Sequence, residues 1–564
     1  MIKIPEIAEI ENGSDDILLL TKDFFGDKSP LQRSDIQGAP KYEDRPQQKA
    51  MAIKIAEAFD KKENLCVEAP TGIGKSYAYL VPSVFYAKES GLPVLISTET
   101  INLQEQLMQK DIPVLEKMIE GGFSAVLAKG RSHYVCLRRM HFAEERVKEE
   151  LFEDYVLDSM RKIMRWIAEG GSAEDSDISF QFERKAWEML CCEAGNCFGP
   201  KCKHYRECFY WRARRNWDKA DIVVANHALF FTSMKVADIY EYSLLPEYGA
   251  IVFDEAHTIE NEAAEHGGIR LSKFGFEMFL KKLYDPDKAK GIFLKGGVLE
   301  MELRGLVGKI LKLSSAYFKT ISSILIEKNV DSFRFRERGF VNDLLSEELF
   351  SLSKLIGNII ENDNDEDSRQ EKSSYAMKID AYADSFHKFS NMELEDYVYW
   401  AESYDGRDDK VELFASPVNV EEILRKNIFL DGRPTILTSA TLSVENSLDY
   451  YSGRVGYERG EKIILGTVFD YEKQMSIFIS KSVPQPEDEN YITALSQEIR
   501  KYTEKTHGKA FVLFTNYEHM RNCAEELRSF FSEKGINLLV HGEGHSRNKM
   551  IDHFRRDIDS VIFG

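Results

Sequence analysis

No stretch of the sequence is apolar for anything near the roughly 18 residues that a membrane-spanning helix needs, which argues against an integral membrane protein. Cysteine is scarce, eight in 564 residues, and the N-terminus (Met1-Ile2-Lys3-Ile4-Pro5) soon turns acidic, unlike a secretion signal. Together these point to a reducing, cytoplasmic setting with free thiols. Positive charge is short as well: 74 Lys and Arg stand against 94 Asp and Glu, a formal net charge of −20. That excludes a polyanion binder working through its whole surface. It leaves room for a locally basic channel. No short internal repeat is present.

What is present is too long for one hydrophobic core, so several domains are expected. The most informative stretch is Glu68-Ala69-Pro70-Thr71-Gly72-Ile73-Gly74-Lys75-Ser76. It follows an apolar run, Leu65-Cys66-Val67, that reads as a buried strand, and precedes residues 77–87, which read as a helix. A bare Gly-Lys-Ser would say little. Between a strand and a helix it reads as a P-loop, whose backbone N–H groups cradle phosphates. Lys75 would reach the β- and γ-phosphates of ATP, and the Ser76 hydroxyl would hold Mg²⁺. Ala69 departs from the pattern, standing where the first glycine is expected.

Asp254-Glu255-Ala256-His257 follows another apolar run, Ile251-Val252-Phe253. A carboxylate at the C-terminal end of a parallel strand lies where such sheets bind ligands. Asp254 would complete the Mg²⁺ shell, and Glu255 would orient and deprotonate the attacking water. Strand candidates at 94–97, 125–128, 222–225, 251–253 and 434–438 alternate with helical or inserted segments, which means an α/β domain with a mostly parallel sheet. Further strands at 476–479, 511–514, 537–540 and 561–563 suggest a second α/β unit. Two gaps are too long for ordinary connections. Residues 130–219 hold six of the cysteines, and 262–415 read as helical, with an acidic run at 361–367 that is most simply a solvated loop.

Cys197-x4-Cys202-x5-Cys208 is a tight group, and thiolates this close ask for a metal. Spacing leaves two ligand sets open: a fourth thiolate from Cys136 or from Cys192, holding an iron–sulfur cluster or zinc. Cys66 is expected to be a small buried apolar residue. Arg138, Arg139, Arg206, Arg212, Arg214 and Arg215 lie among aromatic residues here. The arginines suit a nucleic-acid strand, while the aromatics suit the core of the insert.

Residues 69–76, 254–257 and Ser439-Ala440-Thr441 together resemble the first three motifs of superfamily 2 helicases. With the cysteine insert, Ala225-Asn226-His227-Ala228-Leu229 and the second insert, the chain resembles the DinG/XPD branch of iron–sulfur DNA helicases. The resemblance implies an α/β fold of two RecA-like motor domains, the second incomplete. It divides the chain into 1–129 (first motor domain with the P-loop), 130–219 (iron–sulfur insert), 220–261 (the acidic-box segment), 262–415 (helical arch-like insert), 416–443 (end of the first motor domain) and 444–564 (second motor domain). It implies a [4Fe–4S] cluster on Cys136, Cys197, Cys202 and Cys208. It also implies adenine-side contacts from Arg45 and Gln48, strand contacts from residues 97–100, Gln106 and Asn516, and coupling through Ser439 and Thr441.

The activity implied is ATP-dependent unwinding of DNA with 5′→3′ polarity, by a monomer acting on single strands and duplex junctions in repair or replication. In the family two further motifs follow the position where the sequence stops, so weak hydrolysis and unwinding are expected of this chain. No nuclease signature precedes the P-loop. Two competing readings are a non-motor DNA-binding protein that kept the fold, and an RNA-directed ATPase.

Overall fold

The computed structural model describes residues 16–32, 43–148, 154–193, 196–240, 243–294, 296–403, 410–543 and 547–564. The chain divides into two compact units, Met1–Val468 and Phe469–Gly564. No helix among the described residues is long and apolar enough to cross a membrane.

In the first unit the strands are β1 (Leu65–Glu68), β2 (Val94–Thr98), β3 (Ala125–Leu127), β4 (Ile222–Asn226), β5 (Ala250–Asp254), β6 (Ile269–Ser272), β7 (Ser332–Phe335), β8 (Tyr397–Ser403), β9 (Val411–Pro417), β10 (Thr435–Ser439) and β11 (Glu461–Ile464). Seven of them make one parallel sheet in the order β11-β1-β10-β5-β2-β4-β3. Their runs are apolar throughout because both faces are covered. On one side helices Pro46–Lys61 and Lys75–Ser90 bury Ile55, Phe59, Leu80 and Val84 against Val67 and Val252. On the other, Phe230, Phe231 and Ile259 pack against Val223, Phe253 and Leu437. Each such side chain contributes about 1.5–3 kcal/mol of burial.

The order matters for function. P-loop strand β1 lies beside β10, and β10 beside β5, in registers that pair Glu68 with Ser439 and Thr438 with Asp254. Three motifs distant in sequence thus emerge side by side from one edge of the sheet, with adjacent strands about 4.8 Å apart.

The cysteine insert has its own small core around Met160, Ile163, Trp187 and Leu190. The second insert packs helices Lys273–Leu283, Val298–Lys328, Ser346–Glu361 and Glu366–Asn391 around Phe276, Tyr317, Phe318 and Phe386.

Four expectations are corrected. The second insert is not all helical: β6-β9-β8-β7 form an antiparallel sheet at its base. The signal was a period-two alternation, visible in Val411-Glu412-Leu413-Phe414-Ala415, whose odd members are buried. The boundary expected at 443/444 falls at 468/469, because β11 pairs in parallel with β1 and gives the P-loop strand a neighbour on each side. Residues 476–479 form no strand; Ile477, Phe478 and Ile479 are 75%, 73% and 83% exposed. The acidic run is not simply a solvated loop. Burial opposes ionisation of Asp363, but hydrogen bonds from Lys372 and Ser368 outweigh it and hold its carboxyl at about 2. Asp367, in the first turn of the following helix, pairs with Lys203 at 2.9 Å.

The second unit holds β12 (Ala510–Val512), β13 (Asn537–Val540) and β14 (Ser560–Phe563), parallel in the order β12-β14-β13. Helices Tyr491–Thr506 and Tyr517–Glu533 supply Ile499, Cys523, Leu527 and Phe531 to its core.

Candidate nucleotide site and cysteine cluster

The turn after β1 takes its shape from two glycines at positive φ, Gly72 (86°) and Gly74 (87°). A Cβ on Gly74 would lie 2.2 Å from Gln48 Nε2, so a side chain is excluded there on two grounds. Gln48 Nε2 donates to the Gly74 carbonyl at 2.8 Å, which ties the helix Pro46–Lys61 to the turn. Arg45, one residue before that helix, pairs with Glu43 at 2.6 Å. Ala69 is fully buried and its N–H donates to the Ser439 carbonyl at 2.8 Å. Its methyl group is core, which accounts for the departure from glycine. Pro70 and Thr71 lead round the outer side of the turn, and Ile73 is fully buried beneath it.

Lys75 and Ser76 open the helix Lys75–Ser90, whose N-terminus carries partial positive charge. Lys75 Nζ lies 3.2 Å from Glu255 Oε1. Ser439 Oγ donates to Glu255 Oε2 at 3.2 Å and accepts from His257 Nδ1 at 2.8 Å. One chain of contacts therefore runs through Lys75, Glu255, Ser439 and His257. Glu255 sits at φ +54°, a sparsely populated conformation for a residue with a side chain. Asp254 is buried, and the Tyr79 hydroxyl donates to its Oδ2 at 3.0 Å. Burial pushes its carboxyl up to about 6, with Lys75 pulling the other way.

Sequence reasoning gave three side chains here no role of their own. Glu68 reaches across to the turn after β10, where it accepts hydrogen bonds from the N–H groups of Leu442, at 2.6 Å, and Ser443, and from the Ser443 hydroxyl at 2.8 Å. Its only signal was its place directly before the P-loop. His227 is fully buried and shares a 2.7 Å hydrogen bond with Ser97 Oγ. Burial pushes it down to about 4. Tyr79 lies three residues after Ser76, one helical turn on. Of the expected strand contacts, Thr100 caps the helix Ile101–Gln106, and Asn516 caps Tyr517–Glu533 by accepting from Glu518 N and His519 N. Thr441 is exposed on the turn after β10.

The cysteines are arranged more loosely. Tyr134–Cys136 and Leu190–Cys192 form a short antiparallel bridge, with Cys136 N donating to Leu190 O and Cys192 N to Tyr134 O, both at 2.8 Å. Cys136 and Cys192 therefore leave the bridge on the same face. Cys197 accepts from Gly199 N–H at 3.4 Å. A hydrogen bond from Cys192 is the main cause that holds the Cys197 thiol down at about 5, helped by Gly199 and Arg131. Burial pushes Cys136 and Cys208 up, and both lie within electrostatic range of Cys197. The buried Trp211 indole N–H makes no hydrogen bond of ordinary geometry, but it lies near enough to the Cys197 sulfur to help lower its thiol.

This donor set of soft sulfur, one thiol of which is held low, fits a thiolate-held metal group. Among the described residues, however, no three His, Cys, Asp or Glu side chains converge on one metal point. Cys66 is fully buried, and burial pushes its thiol up to about 12.

Two of the arginines expected to face a strand do not. Arg138 and Arg139 are buried, and they donate to the carbonyls of Asn196 and Cys191. Tyr134, Tyr210 and Trp217 are core. A cavity of about 1510 Å³ lies between the two inserts and the sheet, lined in part by Gln104, Lys129, Arg131, Asn226, Gln370 and Lys378.

Two family profiles match the chain: one described as DEAD/DEAH box helicase over residues 45–134, and DEAD_2 over 193–274. The "ATP-dependent DNA helicase YoaA" of Haemophilus influenzae is 27% identical over 529 residues, spanning 92% of this chain and 78% of that protein. The chain is DinG/XPD-like. The "ATP-dependent helicase DinG" of Mycobacterium tuberculosis is 26% identical over 546 residues, 92% of this chain and 77% of its own. A solved structure titled "XPD_Helicase" covers 93% of this chain and 80% of its own, at 17% identity and a TM-score of 0.48. The DEAD/DEAH match includes the P-loop, and the DEAD_2 match includes the cysteine group and Asp254–His257 of this DinG/XPD-like chain.

Proposed function

We propose that this protein is an ATP-dependent DNA helicase that moves 5′→3′ on single-stranded DNA, acting in the cytoplasm as a monomer at duplex junctions. The observation that carries the reading is the contact chain Lys75–Glu255–Ser439–His257, drawn from three motifs on adjacent strand ends. The relatives named as ATP-dependent helicases support it.

The Gly72–Lys75 turn and the helix N-terminus would bind the phosphates. Lys75, now paired with Glu255, would transfer to the γ-phosphate. Glu255 would then be free to orient and deprotonate water. Ser76 and Asp254 would hold Mg²⁺, which when bound neutralises charge on the β- and γ-phosphates. Ser439 bridges Glu255 to β10, so that loss of the Lys75 pair is felt at the turn Glu68 holds. Arg45 and Gln48 would receive the adenine.

The cavity between the inserts, with Lys129 and Arg131 on its wall, is the passage we assign to the single strand. Cys136, Cys197, Cys202 and Cys208 would hold a [4Fe–4S] cluster, which would brace the insert that forms one wall. The same-face placement of Cys192 keeps a second ligand set, with zinc, as the competitor.

The test is ATP hydrolysis by the purified chain with and without a single-stranded oligonucleotide, followed by strand separation on 5′- and 3′-tailed duplexes. Hydrolysis stimulated by DNA and absent in Lys75→Ala supports the reading. Equal stimulation by RNA, or none by either, overturns it.

A further inference from the structure

An acidic strap runs along the basic wall of the cavity assigned to the single strand. Lys129 follows β3, and His133 ends the short 3₁₀ turn Arg131–His133 just after it. A second 3₁₀ turn, Asp175–Asp177, belongs to the cysteine insert and lies against them. Lys129 Nζ pairs with Glu174 Oε2 at 2.7 Å and donates to Ser176 Oγ at 2.7 Å. His133 Nδ1 lies 2.9 Å from Asp175 Oδ1, and Arg184 Nη1 lies 3.8 Å from Asp175 Oδ2. Lys129, His133, Asp175, Ser176, Asp177 and Arg184 all line the cavity.

Backbone contacts fix the strap independently of these pairs. Val135 N–H donates to the Ala173 carbonyl at 3.0 Å, and Tyr134 and Glu174 form an antiparallel bridge. Ala173 is fully buried at φ +65°, a conformation that is costly for a residue with a side chain. Carboxylates at Glu174, Asp175 and Asp177 repel any polyanion that enters, so their place on this wall needs a reason. The Lys129 and Asp175 side chains are only 18% and 12% exposed, and a charge so far from water is costly to leave unpaired.

We infer that the strap Glu174–Asp177 is a counter-charge that the phosphates of the strand must replace, a built-in competitor that sets how tightly the passage holds single-stranded DNA. It rests on the assignment of this cavity to the strand. The exchange conserves charge. As a phosphate reaches Lys129, Glu174 gives up its pair, and the freed carboxylate takes up a cation from solution. That uptake cancels the counterion released by the phosphate, so Lys129 adds little to net counterion release. As the strand moves on, Glu174 returns to Lys129, and the phosphate leaves without stranding a largely buried charge. A strand held in this way can be gripped and released in turn.

The test is an anisotropy titration of a labelled single-stranded DNA oligonucleotide with the full chain across a salt series. Glu174→Gln keeps the shape and a hydrogen-bond acceptor for Lys129 while removing the charge. It is expected to tighten binding about fivefold, the equivalent of one ion pair that no longer has to be given up. It should also steepen the log–log salt dependence by about 0.7 for each phosphate contact freed. Asp175→Asn is expected to move both readings the same way by less. In a Lys129→Ala background Glu174→Gln should gain nothing, because its effect passes through that ammonium. If the pairs only fasten the insert to the sheet, the folded variants will bind as the wild type does or more weakly, and the inference is overturned. Should Glu174→Gln fail to fold, Asp175→Asn alone decides. A wild-type chain that binds no single strand overturns the assignment of the cavity, whereas a binding wild type with variants no tighter overturns the strap alone, so the two failures are distinguishable.

Discussion

The nucleotide site and the cysteine insert are both built from motifs, and they are held in opposite ways. At the nucleotide site each functional side chain sits at a strand end or in the first turn of a helix. Backbone pairing sets those positions: the β1–β10 and β10–β5 registers place Glu68, Ser439 and Asp254 before any ligand arrives. In the insert the thiols come from a bridge, a 3₁₀ neighbourhood and a helix cap. Among the described residues, Cys136 and Cys192 are the pair that one backbone bridge ties together. Strand-end residues are ordered by the sheet, whereas loop thiolates are ordered by what they bind.

The largest test of that contrast is metal removal. Purified anaerobically, the chain is expected to carry iron and sulfide. Cys197→Ser or chelation should remove both and leave residues 130–219 open to protease, while Mg²⁺-dependent nucleotide binding survives. Zinc without iron in both aerobic and anaerobic preparations would move the site to the Cys192 set. Loss of nucleotide binding together with the metal would show that the two regions are not held independently.

Next in size is Lys75→Ala. Removing a preorganised charge from a transferring phosphate costs about 10²–10³ in rate, and Glu255→Gln, removing the base, about 10²–10⁴. Because the Lys75 and Glu255 side chains are only 13% and 23% exposed, each substitution leaves the other charge without its partner and should also lower thermal stability. Near wild-type hydrolysis by a folded variant would mean that the pair is structural.

The same contrast decides what was legible in the sequence. The parallel sheet could be read because buried strands are apolar runs, and Lys75, Asp254 and Glu255 because each follows such a run. The antiparallel sheet of the second insert was hidden among long helices, and its alternation is short. Strand β11 was assigned to the wrong unit because four residues carry no address; only the open edge of β1 supplies one. Glu68 and His227 stand inside legible motifs, but what they hold could not be read. Their partners, Ser443 and Ser97, lie 375 and 130 positions away and are single hydroxyls with no pattern. Arg138 and Arg139 show the reverse error. A basic cluster reads as a surface until the fold buries it.

His227 offers a smaller effect within the first unit. Burial holds its imidazole neutral at about 4, against ~6.5 in an unfolded chain. The unfolded state therefore binds the proton first. Stability is full above pH ~6.5 and is lost as pH falls toward the folded value, by about 3 kcal/mol in all. Denaturant midpoints between pH 7 and 4 should show this slope in the wild type. It should flatten in His227→Gln, which keeps a polar group for Ser97 and cannot titrate. A slope unchanged in the variant would assign acid sensitivity elsewhere.

The smallest effect expected belongs to Glu68, and it asks whether backbone pairing alone orders the strand ends. Burial opposes its ionisation, but the Leu442 and Ser443 N–H groups and the Ser443 hydroxyl outweigh that and hold its carboxyl below the usual range. Hydrogen bonds to a charged group contribute about 1.5–3 kcal/mol, so Glu68→Gln should destabilise the first unit by about that much. Because the folded value is depressed, the contribution is present above pH ~4.3 and disappears as pH falls through the folded value. If the sheet alone sets the site, Glu68→Gln will lose stability and keep its rate of ATP hydrolysis. If Glu68 also holds Ser439 against Glu255 through the turn at 441–443, the DNA stimulation of hydrolysis will fall as well. That fall would show that the contact chain from Lys75 to His257 needs a side-chain clamp in addition to strand register.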